Sequence, residues 1–168
     1  MSSHGGASKS IVLMSGGNQG IGYEIVKKLA QENPSYHVLL VECRDTDKGK
    51  ASIADLGHPT NVEPIELDIT SDDSVETCFK SIEERFGKLD LRINNAGTAG
   101  HDLGDRDSKT IREIYTHCYS VNTISAAVLT EKMIPLLQNA RVRIVFLTSA
   151  LGSVDGTLQR KDLVDVPY

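Results

Sequence analysis

The first residues whose types and spacing could support chemistry are 15–22, which read Ser-Gly-Gly-Asn-Gln-Gly-Ile-Gly. An apolar segment, 11–14, precedes them, and apolar residues recur after them at helical spacing, so the glycines fall where a buried strand turns into a helix. Glycine lets the backbone approach a phosphate closely, and the N–H groups at a helix start attract its negative charge. The stretch therefore predicts a dinucleotide-binding turn, although spaced glycines also occur in ordinary strand–helix turns.

Other polar residues follow later strands of the predicted sheet. Asp68 comes after the third strand, the turn 94–97 (Asn-Asn-Ala-Gly) after the fourth, and Ser149 after the fifth. Taken singly, Asp68 can be a turn or capping residue, Ser149 the cap of a strand end, and Asn122 a helix-surface amide. Because the carboxyl ends of parallel strands meet at one edge of a sheet, the joint arrangement favours a site.

Strand and helix patterns alternate along the chain, with no hairpin turns and no internal repeat. This pattern predicts an α/β fold of the Rossmann type, a doubly wound parallel sheet in the order 3-2-1-4-5 with helices on both faces. Ligands of such sheets bind where the strand order reverses, here between strands one and four. The predicted strands are 11–14, 36–41, 62–67, 89–93 and 142–147, with Pro64 indicating an edge position for the third.

Helices are predicted between these strands. The one after the glycine turn is followed by a short helix over 48–56 and by a third that Ser71 caps and Gly87 ends. A single long helix precedes strand five. Its predicted inward face consists of Ile111, Ile114, Tyr115, Cys118, Val128, Leu129, Met133, Leu136 and Leu137.

Length and charge limit the classes of protein that the chain can represent. Its 168 residues suit one domain, 10–168, behind a disordered tail, 1–9. With 18 Lys and Arg against 23 Asp and Glu, the net charge of -5 provides no basic surface for nucleic acid. No apolar run is long enough to cross a membrane, and 1–8 has no hydrophobic signal core, so we predict no membrane partner and a cytoplasmic protein.

The cysteines and histidines give no sign of a disulfide framework or a metal site. Cys43, Cys78 and Cys118 are odd in number and far apart, as is typical of reduced packing residues. His101 and His117, like the other histidines, lack the spacing of metal ligands or of a nucleophile–base pair. We therefore predict no metal.

With these elements in place, the chain resembles the short-chain dehydrogenase/reductase family, and in particular its carbonyl-reductase-like members. Residues 15–22 are similar to the family's T-G-x-x-x-G-I-G, with serine in place of threonine. Asp68-Ile69, the N-N-A-G turn at 94–97 and the S-S-x-x-G-like stretch 148–152 follow in the family's order. Asn122, in Ser-Val-Asn, matches the family's asparagine.

The resemblance implies an NAD(P)(H)-dependent oxidoreductase that moves hydride between nicotinamide and a small carbonyl or alcohol substrate. It assigns catalytic roles to Ser149, which would hold the substrate oxygen, to Asn122, and to Tyr168. The cofactor-binding residues that it implies are Ser15, Gly16, Asn18, Gln19, Gly20, Ile21, Gly22, Arg44, Asp68, Ile69, Asn95, Ala96 and Gly97.

The family's Y-x-x-x-K pattern is where this sequence departs. Tyr168 is the only tyrosine after Ser149 and the last residue, while Lys161 precedes it. Either Tyr168, or a neighbour, is the catalytic tyrosine at the edge of a truncated chain, or 153–166 replaces the catalytic helix. We therefore expect a truncated, weakly active or inactive form with an apolar edge at strand five. The full-length form would be a possible homo-oligomer.

The cofactor type depends on the end of strand two. Glu42 lies where an acidic residue accepts the ribose hydroxyls of NAD, whereas 44–49 (Arg-Asp-Thr-Asp-Lys-Gly) resembles the basic pattern for the NADP phosphate. Because the basic pattern matches over several residues, we predict that NADP(H) is preferred, through Arg44, and that NAD(H) is possible.

Two alternatives from other classes stay open. A non-catalytic NAD(P)-binding module or sensor would use the same glycine turn. A Rossmann-like methyltransferase is disfavoured, because its chemistry has no use for the 94–97 turn or for Ser149. Separately, Arg92 lies in strand four where the family has an aliphatic residue, and an unpaired buried guanidinium there would be costly.

Overall fold

The computed structural model describes residues 9–32, 35–41 and 46–149 of the chain. Its strands are β1 (Ser10–Ser15), β2 (Tyr36–Val41), β3 (Val62–Ile65), β4 (Leu91–Asn94) and β5 (Ile144–Phe146). Its α-helices are α1 (Gly20–Glu32), α2 (Thr46–Asp55), α3 (Asp72–Phe86), α4 (Ile111–Tyr119) and α5 (Ala126–Gln138). A π-helical stretch, Ser120–Ser125, joins α4 to α5, and the 3-10 turns His101–Leu103 and Arg106–Ser108 precede α4.

The five strands form one parallel sheet in the order β3-β2-β1-β4-β5, which confirms the predicted topology. The order reverses at β1, since the chain moves outward to β3 on one side and then crosses to β4 on the other. The carboxyl ends of β1 and β4 are therefore neighbours at the reversal. Pro64 lies in β3 at the sheet edge, as predicted.

Helices cover both faces of the sheet, because alternate residues of β1 belong to two separate cores. Leu13 packs in a core with α3 and α5, which contribute Ile82 and Met133. Met14 packs in the opposite core, to which α1 contributes Val26. All of these side chains are buried. This arrangement confirms the predicted doubly wound fold.

The predicted ends of α3 are confirmed by its hydrogen bonds. The Ser71 side chain accepts from the backbone N–H of Ser74 at the helix start, with Asp72 and Asp73 in the first turn. At the other end Gly87 has a φ of 65°, and its N–H donates to the carbonyls of Ile82 and Glu83.

The prediction of one long helix before strand five was wrong. The segment is two α-helices separated by the π-helical stretch Ser120–Ser125. Ile111, Tyr115 and Val128 of the predicted inward face are exposed, by 74%, 59% and 38%. Helical spacing identifies an apolar side but not what covers it. The described residues bury α5 through Leu129, Met133, Leu136 and Leu137, while α4 has no buried residue.

Strand β5 forms the other edge of the sheet. All of its residues are exposed, with Phe146 at 56%, and so is the preceding Val142 at 52%. The expected apolar edge is therefore observed in the described part of the chain. Among the residues that the structure describes, no helix has both the length and the apolar character needed to span a membrane.

Arg92 is fully buried in the middle of the sheet. Its Nη1 donates to the carbonyls of Leu13 and Ile93, at 3.3 Å and 2.5 Å. Its Nε and Nη2 have no hydrogen-bond partner in the described part of the chain. Burial lowers the pKa of Arg92 to about 9 and raises that of the neighbouring Cys78 thiol to about 12, so at neutral pH the guanidinium is charged and the thiol is not.

We expect the replacement Arg92→Met to raise the free energy of unfolding by about 1–2 kcal/mol, because it removes a buried cation that is only partly hydrogen-bonded and keeps most of the volume. Arg92→Ala should instead lower stability, since it leaves a cavity. Urea denaturation measures both, and Arg112→Met on exposed α4 is the control, with a change within about 0.5 kcal/mol. A loss of stability in Arg92→Met would contradict this account.

Candidate functional site

The turn between β1 and α1 exposes a helix N-terminus. Gly16 and Gly20 have positive φ angles of 67° and 56°, and α1 begins at Gly20 with no acidic residue in its first turn. A Cβ atom on Gly20 would have nothing within 4 Å, so the space beside this glycine is open. The start of a helix carries N–H groups without intrahelical partners, and these attract anions. The turn is therefore suited to a phosphate.

The other glycines of this turn are needed for packing within the protein. A Cβ atom on Gly22 would lie 1.9 Å from the carbonyl oxygen of Gly16 and 2.5 Å from Nδ2 of Asn95. One on Gly16 would lie 3.0 Å from the Cα of Ala96. These glycines allow α1, the end of β1 and the residues after β4 to pack together.

Ser15 and Asn95 join the two turns directly. The Ser15 hydroxyl oxygen accepts from the backbone N–H groups of Asn95, at 3.1 Å, and Ala96, at 3.2 Å. In return, Nδ2 of Asn95 donates to the carbonyls of Ser15, at 3.1 Å, and Gly16, at 2.7 Å. We call residues 15–22 and 94–97 together the paired turns. The structure brings together the candidate residues that the sequence places in these two stretches.

Helix α2 also contacts the glycine turn, through a hydrogen bond from Ser52. The Ser52 hydroxyl lies 3.0 Å from the carbonyl oxygen of Asn18 and 3.0 Å from that of Lys48 in its own helix. Ser52 is buried, and sequence reasoning missed it. The available signal was a small polar residue on the inward side of α2, next to Ile53.

Asp68 closes the turn between β3 and α3. Its Oδ1 accepts from the N–H of Thr70 at 2.9 Å and from the Thr70 hydroxyl at 2.6 Å, and its own N–H donates to the Ser74 hydroxyl. The structure thus confirms that Asp68 is a turn residue. Ile69 beside it packs against the core. Their cofactor-binding role stays a prediction.

Asn122 lies in the π-helical stretch and is bonded to the residue after the 94–97 turn. Its Oδ1 accepts from the N–H of Thr98, and its Nδ2 donates to the Thr98 carbonyl, both at 2.8 Å. A Cβ atom on Gly97 would be 3.2 Å from Asn122 Oδ1. Single π-helical turns are rare and frequently lie at functional sites. The structure therefore brings Asn122 to the paired turns.

Ser149 follows β5 and is exposed. The N–H of Leu147, two residues earlier, donates to the carbonyl of Asn94, so the chain leaves β5 beside the 94–97 turn. Tyr168, Arg44 and Glu42 lie outside the described residues, as does Cys43. Within the described ranges, no group of three or more His, Cys, Asp or Glu side chains could hold a metal ion.

A hydrogen bond between Asp102 and His117, which the sequence did not predict, lies near Asn122. Oδ2 of Asp102 is 2.8 Å from Nε2 of His117. Partial burial acts to raise the pKa of Asp102, but hydrogen bonds from Thr98 and His117 outweigh it, so this pKa lies below its usual value. Fifteen residues separate the partners along the chain, so local spacing gives no signal for the contact.

Comparison with known proteins indicates one family, both by its family model and by individual relatives. The family model described as "short chain dehydrogenase" matches residues 10–160. A relative named short-chain dehydrogenase/reductase tropE, from Talaromyces stipitatus, is 35% identical over 156 residues, which cover 88% of this chain and 56% of the relative. Salutaridine reductase from Papaver somniferum is 31% identical over 174 residues, covering 84% and 55%.

Solved structures agree with the fold. The structure of salutaridine reductase from Papaver somniferum has a TM-score of 0.73 and 30% identity, with 88% of this chain and 60% of that chain covered. Menthone neomenthol reductase from Mentha piperita has a TM-score of 0.74 and 28% identity, with 88% and 62% covered. The chain thus spans little more than half the length of the curated relatives it matches.

We expect Gly22→Ala to lower the free energy of unfolding by about 3 kcal/mol, the upper end of the usual cost of overpacking, because the new methyl group overlaps the Gly16 carbonyl. Chemical denaturation measures this loss. Ile21→Ala is the neighbouring control, since Ile21 is 71% exposed and its truncation should cost little. Equal stability of Gly22→Ala and wild type would show that the paired turns are not as closely packed as described.

Proposed function

This chain belongs to the short-chain dehydrogenase/reductase family, and from that premise we propose that it binds a nicotinamide adenine dinucleotide and reduces a small carbonyl compound, or oxidises the corresponding alcohol. The observation that carries the proposal is the joining of the paired turns by Ser15 and Asn95 next to an exposed helix N-terminus. Because the chain covers only part of its relatives, the activity of the whole protein is included in the proposal.

The residues present fit a dinucleotide. Gly20 leaves open space at the start of α1, whose first turn carries no carboxylate to repel a diphosphate. We assign the diphosphate to Ser15, Gly16, Asn18, Gln19, Gly20, Ile21 and Gly22. We assign the adenine side to Asp68 and Ile69, and the surface beneath the cofactor to Asn95, Ala96 and Gly97.

The bound nicotinamide supplies or accepts the hydride. In our proposal Ser149 holds the substrate oxygen by a hydrogen bond from its hydroxyl, and Tyr168 exchanges the proton with that oxygen. Asn122 belongs to the same site because its side chain is bonded to Thr98, directly after the 94–97 turn. Ser149 and Asn122 thus follow from the family pattern, Tyr168 is proposed as the one tyrosine after Ser149 in this sequence, and the position of Asn122 supports its part in the site.

NADP(H) is the cofactor that we propose, with NAD(H) as the alternative. In the sheet register Val41, the last residue of β2, lies opposite Ser15. β2 therefore ends next to the glycine turn, where we place the ribose phosphate of the cofactor. Arg44 would pair with that phosphate, and Glu42 would instead accept hydrogen bonds from the hydroxyls of an unphosphorylated ribose.

A titration with NADPH and NADH, each displacing the other, tests this choice. We expect NADPH to bind more tightly, and Arg44→Ala to weaken NADPH binding about tenfold or more while NADH binding changes little, because a charged hydrogen bond to phosphate is lost. The exposed Arg112 of α4 provides the control, Arg112→Ala. Tighter binding of NADH, or no loss in Arg44→Ala, would refute the preference.

A second candidate function, a non-catalytic NAD(P)-binding module or sensor, is favoured by one observation. The hydrogen bonds that join the paired turns are formed by Ser15, Gly16, Asn95 and Ala96. None of these bonds involves a residue that follows β5. Binding could thus exist without turnover. Consumption of NADPH with a panel of small aldehydes and ketones separates the two functions.

If the chain is an enzyme, Ser149→Ala should lower kcat at least tenfold and leave NADPH affinity unchanged, since a hydrogen bond to the reacting oxygen is lost. Thr148→Ala is the adjacent control and should keep its activity. Tight NADPH binding with no turnover of any carbonyl compound would favour the module instead.

A further inference from the structure

Thr98 connects Asn122 to a hydrogen-bonded pair, Asp102 on the loop before α4 and His117 in α4. Through its backbone N–H and carbonyl Thr98 bonds the side chain of Asn122. Through its hydroxyl it donates to Oδ1 of Asp102, at 2.5 Å, and accepts from the N–H of Gly100, at 2.8 Å. The backbone of Thr98 therefore binds Asn122, and its side chain binds Asp102. We expect a loss of the side-chain bond to weaken the backbone bonds as well.

Asp102 is held in turn by α4. Its second oxygen, Oδ2, lies 2.8 Å from Nε2 of His117, which must carry the hydrogen because a carboxylate only accepts. Gly100, with a φ of 86°, brings the same loop close to α4, since a Cβ atom there would lie 3.1 Å from Ile114. Residues 98–104 thus contact α4 at Ile114 and His117 and the π-helical stretch at Asn122.

Asn122 depends on these bonds because packing does not fix it. Its side chain is exposed, and the π-helical stretch around it buries only Ser125 among the described residues. Exposed ion pairs usually add little to stability. The carboxylate of Asp102, however, links a hydroxyl and an imidazole from two separate segments, so its main effect is on the geometry of the loop.

We propose that Asp102 and His117 are positioning residues, which hold Thr98 and, through Thr98, keep the Asn122 side chain against Gly97 of the paired turns. This role rests on the proposed function, because it matters to catalysis only if Asn122 and the 94–97 turn border the cofactor. Neither residue touches substrate or cofactor in this proposal. Both act through Thr98.

Amide hydrogen exchange of the full chain, followed by NMR, tests the role at the atoms concerned. In Asp102→Ala we expect the Thr98 backbone N–H and the Asn122 side-chain NH₂ to exchange about tenfold faster, because a hydrogen bond to a charged group has been lost. Thr98→Val removes the same bond from the other side. Because Thr98→Val also removes the acceptor of the Gly100 N–H, the double variant should exchange no faster than Thr98→Val alone.

Three variants separate positioning from general loosening. His117→Ala should accelerate the same two exchange rates, and His117→Gln, which keeps a donor, should restore them. Asp107→Ala changes an exposed aspartate nearby and should leave them at wild-type values. The denaturation midpoint should change little in all of these variants, since Asp107 is exposed and His117 is only partly buried.

Wild-type exchange rates in Asp102→Ala, or equal acceleration in Asp107→Ala, would overturn the positioning role. These measurements need no cofactor. A titration of the wild-type chain with NADPH and NADH is run beside them, and failure of both to bind would refute the proposed function while the exchange rates still decide the role of Asp102.

Discussion

The bonding between Ser15 and Asn95 is the constraint on which the site depends. The backbone pairing of β1 with β4 extends from Val12 opposite Leu91 to Met14 opposite Ile93. The paired register of these two strands ends there, and the backbone groups that follow need other partners. The Ser15 hydroxyl and the Asn95 amide supply them. The paired turns thus continue the connection between β1 and β4 through side-chain hydrogen bonds.

The glycines of the first turn consequently have two different reasons to be glycine. Gly16 and Gly22 leave room for Asn95 and for the backbone of the turn itself, so they would be required even without a ligand. Gly20 meets no protein atom where its Cβ would be, although its φ of 56° favours glycine. The first pair makes the turn compact, and Gly20 leaves open the side where α1 begins.

Much of the fold follows from the sequence, because alternating strands and helices without hairpins permit few sheets. The strand order was predictable from the connection rules for parallel sheets. The edge position of Pro64 and the caps Ser71 and Gly87 were predictable because each depends on local chemistry. The break between α4 and α5 was not. The apolar side of Ile111 and Tyr115 is real, but helical periodicity carries no information on whether another element covers it.

The candidate site divides in the same way. The residues of the paired turns were identifiable because each turn is a continuous sequence motif, 15–22 and 94–97. The support from Ser52 was not, since it joins α2 to Asn18 across 34 residues, nor was the contact between Asp102 and His117. Such contacts exist only after folding has brought the elements together, so the sequence can mark Ser52 as a polar residue on the inward side of α2 but cannot name its partner.

Local hydrogen bonding and ligand binding are compatible roles for Asp68 and Asn122. Oδ1 of Asp68 is occupied by Thr70, and both polar atoms of the Asn122 amide are occupied by Thr98. These bonds fix the position of Asn122 relative to the residue after the 94–97 turn. Groups already held in place lose little further freedom when a ligand binds, which raises affinity. The structural interpretation of Asp68 and Asn122 is therefore compatible with the functional roles that we propose for them.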